Sequence, residues 1–194
     1  MWQAITLRFC FLAIGVAICM PLLAQETKPA FAYKAPVVGV GVFTDELGML
    51  LKEREEYAHN IALFTGRFVN EKKASPESLD LARRFLALSL HLSPRNRKAV
   101  VMNFQLQRGI LPTMEESDYS PNVLARLIIT RGQLLLKSTN KEDQLLGRCF
   151  SQIAAEIDPT NEDAVYASEL LRLDKKQITW SELTDVKPEN IPNP

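Results

Sequence analysis

Leu81-Ala-Arg-Arg-Phe-Leu-Ala-Leu-Ser-Leu-His-Leu-Ser-Pro-Arg-Asn96 and, about 65 residues further on, Leu146-Gly-Arg-Cys-Phe-Ser-Gln-Ile-Ala-Ala-Glu-Ile-Asp-Pro-Thr-Asn161 are one pattern written twice. Leu81 pairs with Leu146, Phe85 with Phe150, Leu88 with Ile153 and Leu92 with Ile157, and both copies run into Ala-Val at Ala99-Val100 and Ala164-Val165. The apolar spacing is helical. Pro94 and Pro159 cannot continue a helix, so each copy predicts a helix, a tight reversal and a second helix. In the first copy Leu79, Ala82, Phe85, Leu86 and Ser89 line one face, while Leu81, Leu88 and Leu92 line another. A helix apolar on two sides is sandwiched between neighbours.

The same reading extends outward. Thr44 can cap a helix with Asp45 and Glu46 in its first turn, and Leu47, Leu50, Leu51, Ala58, Ile61, Phe64 and Phe68 predict a helix of some 25 residues. Ser75-Pro76-Glu77 is an N-cap with proline at the first helical position, and Ser120-Pro121 repeats it. Ala99, Met102 and Leu106 carry a third helix to Gly109, and residues 113–119 are a polar loop. Leu124, Leu127, Ile128, Leu134 and Leu135 mark a fourth helix. Leu145, Leu146, Cys149, Phe150, Ile153, Ala154 and Ile157 mark a fifth, and Ala164, Val165, Leu170 and Leu171 a sixth. The expected fold is all-α, about six antiparallel helices in two three-helix units, residues 45–109 and 120–174. Gly66 aligns with Gly132 across the duplication.

These residues resemble the tetratricopeptide repeat over roughly residues 61–173. Ala82 and Gly147 are the small residues twelve before Pro94 and Pro159, and Ser89 and Ala154 those five before. Ser93 to Asn96 and Asp158 to Asn161 match the helix-ending turn. The glycine-tyrosine pattern expected after each proline is missing, which makes the resemblance one to a divergent repeat. It implies a short right-handed array that binds an extended peptide or a partner helix in a groove lined by the first helices. By that implication the candidate groove residues are Tyr57, Asn60, Arg67, Asn103, Gln107 and Arg131.

At its N-terminus the chain carries Arg8 ahead of an apolar run that begins at Phe9 and reaches Leu23, broken by Pro21 and followed by Ala24-Gln25. This is a signal-peptide layout, too short for a spanning helix, and predicts export with cleavage after Ala24. Leu22 stands at position −3, where small residues are preferred, so an uncleaved membrane anchor stays open. Cys10 and Cys19 lie in this segment, which leaves Cys149 without an intramolecular partner in a processed chain. Residues 25–44, with Pro29 and Pro36, read as a disordered linker leading into an extended piece at Val37 to Phe43. That piece is expected to pack over the first helix or to pair with a partner strand. Residues 175–194 read as a disordered tail, in which Trp180 is expected to dock on the last helix.

The composition has 23 bases against 23 acids, which gives no electrostatic footprint for nucleic acid. Lys72-Lys73, Arg83-Arg84 and Lys175-Lys176 read as solvated helix faces. His59 and His91 have no metal-ligand spacing around them, and His91 reads as a partly charged imidazole at a helix C-terminus. Gly39-Val40-Gly41 lacks the third glycine of a dinucleotide loop, and neither a Gly-x-Ser-x-Gly elbow nor a Ser-x-x-Lys occurs. No cofactor, metal or catalytic centre is expected. The partner expected is a protein or peptide, with a membrane involved only through an uncleaved N-terminal helix. Mass spectrometry of the protein from the exported fraction is expected to give a mature chain starting at Gln25; a start at Met1 identifies the anchor.

Overall fold

Helix α2 (Pro76–Leu92) is apolar around most of its circumference, and it lies between two clusters of buried side chains. Phe85, Leu88 and Leu92 join the larger cluster with Ile61, Phe64, Ile128, Phe150 and Ile153. Leu79, Ala82, Leu86 and Leu90 join the smaller one with Val69, Ala99, Met102 and Leu106. The computed structural model describes residues 30–186, so the signal segment lies outside the described residues. Among these the chain is all-α. In order follow α1 (Leu51–Glu71), α2, α3 (Arg97–Gln107), α4 (Pro121–Leu135), α5 (Lys141–Ile157), α6 (Glu162–Leu173) and the single turn α7 (Ser181–Thr184). None of the described helices is long and apolar enough to cross a membrane.

The two halves repeat one set of contacts. α1 packs on α2 and α3 as α4 packs on α5 and α6. Asn96 and Asn161 each cap the helix that follows, accepting from Ala99 N at 3.1 Å and from Ala164 N at 3.0 Å. Small residues set the spacing in the second half. A Cβ on Gly147 would lie 2.9 Å from the Gly132 carbonyl oxygen, and one on Gly132 would lie 3.0 Å from Phe150 Cβ. α4 and α5 therefore approach backbone to backbone at this crossing.

α1 begins later than the apolar pattern suggested. Its N-cap is Leu50, and Leu50 and Leu51 are exposed. Thr44 does not cap it; its N–H and hydroxyl both donate to the Glu142 carboxylate on α5, each at 2.9 Å. Residues 43–49 are instead an irregular strap that seats Phe43, Leu47 and Met49 in the larger core, and burial of those three side chains outweighs one more turn of helix. The extended piece before it lies mainly across α2 and α3. Tyr33 donates to Asn103 Oδ1 on α3 at 3.2 Å, and Gly39 and Gly41, both at positive φ, turn the chain over His91.

The expectation of a disordered tail fails for residues 175–186. Val37 N donates to Thr184 O at 2.8 Å and Val186 N to Val37 O at 2.9 Å, a parallel bridge between the two ends of the described chain. Arg83 fixes it by donating to Thr184 O at 3.0 Å and to Asp185 at 2.6 Å. Trp180 packs over the Arg84 guanidinium of α2, at 5.8 Å from ring centroid to Cζ, and against the larger core cluster, which includes Ala164 of α6. Arg84 also pairs with Glu156 at 2.6 Å. Neither Arg83 nor Arg84 is thus on a solvated face: both hold distant segments to α2. The physical reason is that a polar tail can order when its backbone finds a paired edge and its few apolar groups, here Ile178, Trp180 and Leu183, find a core.

Two buried polar side chains anchor the straps. Arg54 is 5% exposed and donates to Leu92 O at 3.1 Å, Thr44 O at 3.0 Å and Phe43 O at 3.2 Å. His91 is fully buried. Its Nδ1 accepts from Val42 N at 3.2 Å, so Nε2 carries the proton and donates to Leu183 O at 2.8 Å. One imidazole thereby joins both straps to α2. Burial holds its pKa below the ordinary value against the opposing pull of the Leu183 carbonyl, so it is neutral and not the partly charged helix-end group expected.

Arg54→Met leaves three carbonyls without their donor and is expected to cost about 3 kcal/mol in urea unfolding; a loss under about 1 kcal/mol shows that water replaces the guanidinium. For His91 the unfolded state binds the proton more tightly, so its contribution is complete above about pH 6.5 and is lost as the pH falls toward the lower folded value. The thermal midpoint is expected to drop from about pH 7 to about pH 5.5, and His91→Gln to flatten that dependence.

Candidate functional site

α1 presents a stripe that is not apolar. Glu53, Tyr57 and Asn60 follow at helical spacing, with Glu56 beside them, and α4 approaches this side through Leu124 and Leu127. Together with Tyr119, from the loop before α4, these residues line a cleft of about 140 Å³ where the first half of the fold meets the second.

Most polar groups in the cleft are already spoken for. Glu53 accepts from Arg131 on α4 through both oxygens, at 2.7 and 3.3 Å, and Arg131 also donates to Gly48 O at 2.7 Å. The Tyr119 hydroxyl donates to Glu56 Oε1 at 3.0 Å, and the Tyr57 hydroxyl to Leu127 O at 3.4 Å. Burial, and then the Glu53 charge, push the Tyr57 phenol up to about 12; the hydrogen bond to Glu56 raises that of Tyr119. Both phenols therefore keep their protons and bring no negative charge. The Tyr57 ring rests on Phe150, centroids 5.1 Å apart, which ties this wall of the cleft to the core.

Asn60 is different. It is 3% exposed, its Nδ2 donates to Glu56 O at 2.9 Å, and its Oδ1 has no hydrogen-bond partner among the described residues. Turning the amide over would set two acceptors against each other, so the oxygen is the orphan whichever way the group is drawn. Leaving a buried carbonyl oxygen unpaired costs about 1–3 kcal/mol, which makes Asn60 an expensive residue to keep for packing alone.

Of the six groove residues expected from the sequence, the structure brings Tyr57 and Asn60 into this cleft, and Arg131 to its edge through Glu53. Arg67 is half-buried two turns further along α1. Asn103 and Gln107 lie elsewhere: Asn103 is taken by Tyr33 of the N-terminal strap, and Gln107 is exposed at the end of α3. α3 packs behind α1 and α2 and does not face the α4 side, which is why its polar residues do not share one groove with those of α1. Sequence reasoning missed Glu53, Glu56, Tyr119, Leu124 and Leu127. The first two stand one turn from Tyr57 and Asn60, but on a stretch of α1 that also carries Lys52, Arg54, Glu55 and His59, so their charge did not single them out. Tyr119 comes from a loop, whose position no periodicity gives.

The remaining chemistry-bearing groups lie apart from the cleft. Cys149 is fully buried in the larger core, where burial pushes its thiol up to about 12, so it is a packing residue. His59 faces a separate shallow depression with Glu55, Lys98 and Glu115. Among the described residues no group of histidines, cysteines and acids is placed to hold a metal ion. No family model matches the chain, and neither a curated protein nor a solved structure matches it.

Proposed function

We propose that this chain is an exported protein-interaction module, a divergent tetratricopeptide-like array that binds a peptide or partner protein along the side where α1 meets α4. The observation that carries the reading is the α1–α4 cleft. It sits between the two three-helix halves, has aromatic and apolar walls, and holds a buried acceptor with no partner among the described residues. The duplicated helix, proline turn and asparagine cap support the repeat reading, and the Arg8 and apolar layout of the first two dozen residues supports export. Leu22 at −3 favours a second reading, a membrane-tethered structural subunit of an envelope complex that keeps its N-terminal helix as anchor.

Leu127 is 39% exposed at the rim of the cleft, and Tyr166 on α6 is 67% exposed on the far side of the second unit. Each can be changed to arginine without disturbing the core. In affinity capture from the extracytoplasmic fraction, Leu127→Arg is expected to lose partners that the parent and Tyr166→Arg both retain. Retention of every partner by Leu127→Arg, or loss with Tyr166→Arg alone, shows that the binding face is not this one.

A further inference from the structure

The hydrogen-bond inventory of the α1–α4 cleft is one-sided. Tyr57 hydroxyl, Tyr119 hydroxyl and Asn60 Nδ2 are its side-chain donors, and each already donates within the chain. Beside the second N–H of Asn60 Nδ2, what is left over is acceptor: Asn60 Oδ1, and the Glu56 oxygen that Tyr119 does not engage. A ligand that completes this site brings donors.

Charge narrows the class. Glu53 and Glu56 line the cleft and no basic residue does; Arg131, at its edge, offsets Glu53, which leaves Glu56 uncompensated. Between the two common cations, a guanidinium wants a carboxylate with both oxygens free, and here Glu53 is occupied twice and Glu56 once. Separate single acceptors suit the three rotatable donors of an ammonium. The volume of about 140 Å³ is comparable with the roughly 150 Å³ cavity that holds a benzene ring, and it suits a four-carbon chain along Leu124 and Leu127.

We propose that the α1–α4 cleft is a binding site for an alkylammonium group, the end of a lysine side chain or a free primary amine. Asn60 Oδ1 is the buried acceptor, Glu56 the counter-charge, and Tyr57, Leu124 and Leu127 the walls for the alkyl chain. The site deepens the interaction reading above and rests on it only for the source of the group, since the acceptors would bind a free amine equally well.

The test is a titration of the purified chain with n-butylammonium chloride, followed in every variant by the backbone amide NMR signals of Glu56, Tyr57 and Leu127, and in the parent also by the Asn60 side-chain amide. Parallel titrations use n-butyltrimethylammonium, which keeps tail and charge but has no N–H, and a short peptide containing lysine against its norleucine counterpart. The expected result is a saturable shift with n-butylammonium and none with the trimethyl analogue. Asn60→Leu is expected to weaken binding about tenfold while leaving the thermal midpoint unchanged or higher, because the orphan oxygen is gone. A merely structural Asn60 would lower the midpoint instead. Should Asn60→Leu not fold, Glu56→Gln keeps an acceptor for Tyr119, removes the charge, and is expected to weaken binding similarly.

No saturable shift, equal binding of the trimethyl compound, or an unchanged affinity in both variants overturns the proposal. A lysine peptide that binds tighter than n-butylammonium, with its norleucine counterpart failing, assigns the group to a polypeptide; equal affinities assign it to a free amine. Partners lost with Leu127→Arg but no ammonium binding leaves the interaction reading standing and removes this one. Ammonium binding with every partner retained does the reverse.

Discussion

The guanidinium of Arg54 is the constraint on which the arrangement of this chain depends. It is buried without a carboxylate partner, and three backbone carbonyls compensate it: Leu92 O at the end of α2, and Phe43 O and Thr44 O in the N-terminal strap. The last carbonyls of a helix carry its partial negative charge, so α2 supplies both hydrogen-bond acceptance and favourable electrostatics. One side chain from α1 thereby fixes the end of α2 and the path of the strap together. From that point Phe43, Leu47 and Met49 drop into the core, and Gly48 is delivered to α4 and α5. There its N–H meets Asp143 at 2.7 Å and its carbonyl receives Arg131 at 2.7 Å. Arg131 in turn orients Glu53 at the cleft. Two sets of hydrogen bonds, joined by the covalent strap from Thr44 to Gly48, therefore link a buried charge on α1 to the candidate binding site.

The described residues cover the two sides of the helical fold unequally. On α2 the N-terminal and C-terminal straps meet in a parallel bridge, with His91 and Arg83 reaching up from the helix to hold them. On α6 the outer side chains Tyr166, Leu170 and Leu173 remain exposed. Isolated apolar residues at a surface are ordinary, and these frame a depression without a buried orphan group. The α1–α4 cleft is smaller, but its wall holds one of the buried polar atoms left unpaired among the described residues, the others being Arg83 Nε, Arg84 Nε and Glu156 Oε2 on α2 and α5, and such places tend to coincide with function.

That contrast also explains why the cleft and not a larger hollow carries the functional reading. Hydrophobic walls alone describe many surface depressions. An unpaired acceptor inside such walls, with a carboxylate at its rim and both tyrosine hydroxyls already donating, favours a donor in what completes it. Asn60 could have been leucine at this position and the helix would have packed.

How much of this was legible in the sequence follows from the range of the forces involved. Helices α2 to α6 could be read because proline stops, asparagine caps and apolar periodicity act within a few residues, and α2 could be read as a sandwiched element because its two apolar stripes are both local. The start of α1 could not, because Phe43, Leu47 and Met49 gain more from a distant core than from another helical turn. The order of residues 175–186 was invisible because its backbone partner, Val37, is remote in sequence. Tyr57 and Asn60 could be picked out by their places on the first helix, as the repeat resemblance implies. That Asn60 keeps an unpaired oxygen, that Tyr119 reaches Glu56 beside it and that Asn103 is diverted to Tyr33 are consequences of which segments meet. The sequence by itself determined the helices and their duplication, since those are set by local dihedral preference and burial pattern. Only the tertiary structure decided where the straps lie and which acceptor is left over, since both depend on hydrogen-bond partners drawn from segments far apart in the chain.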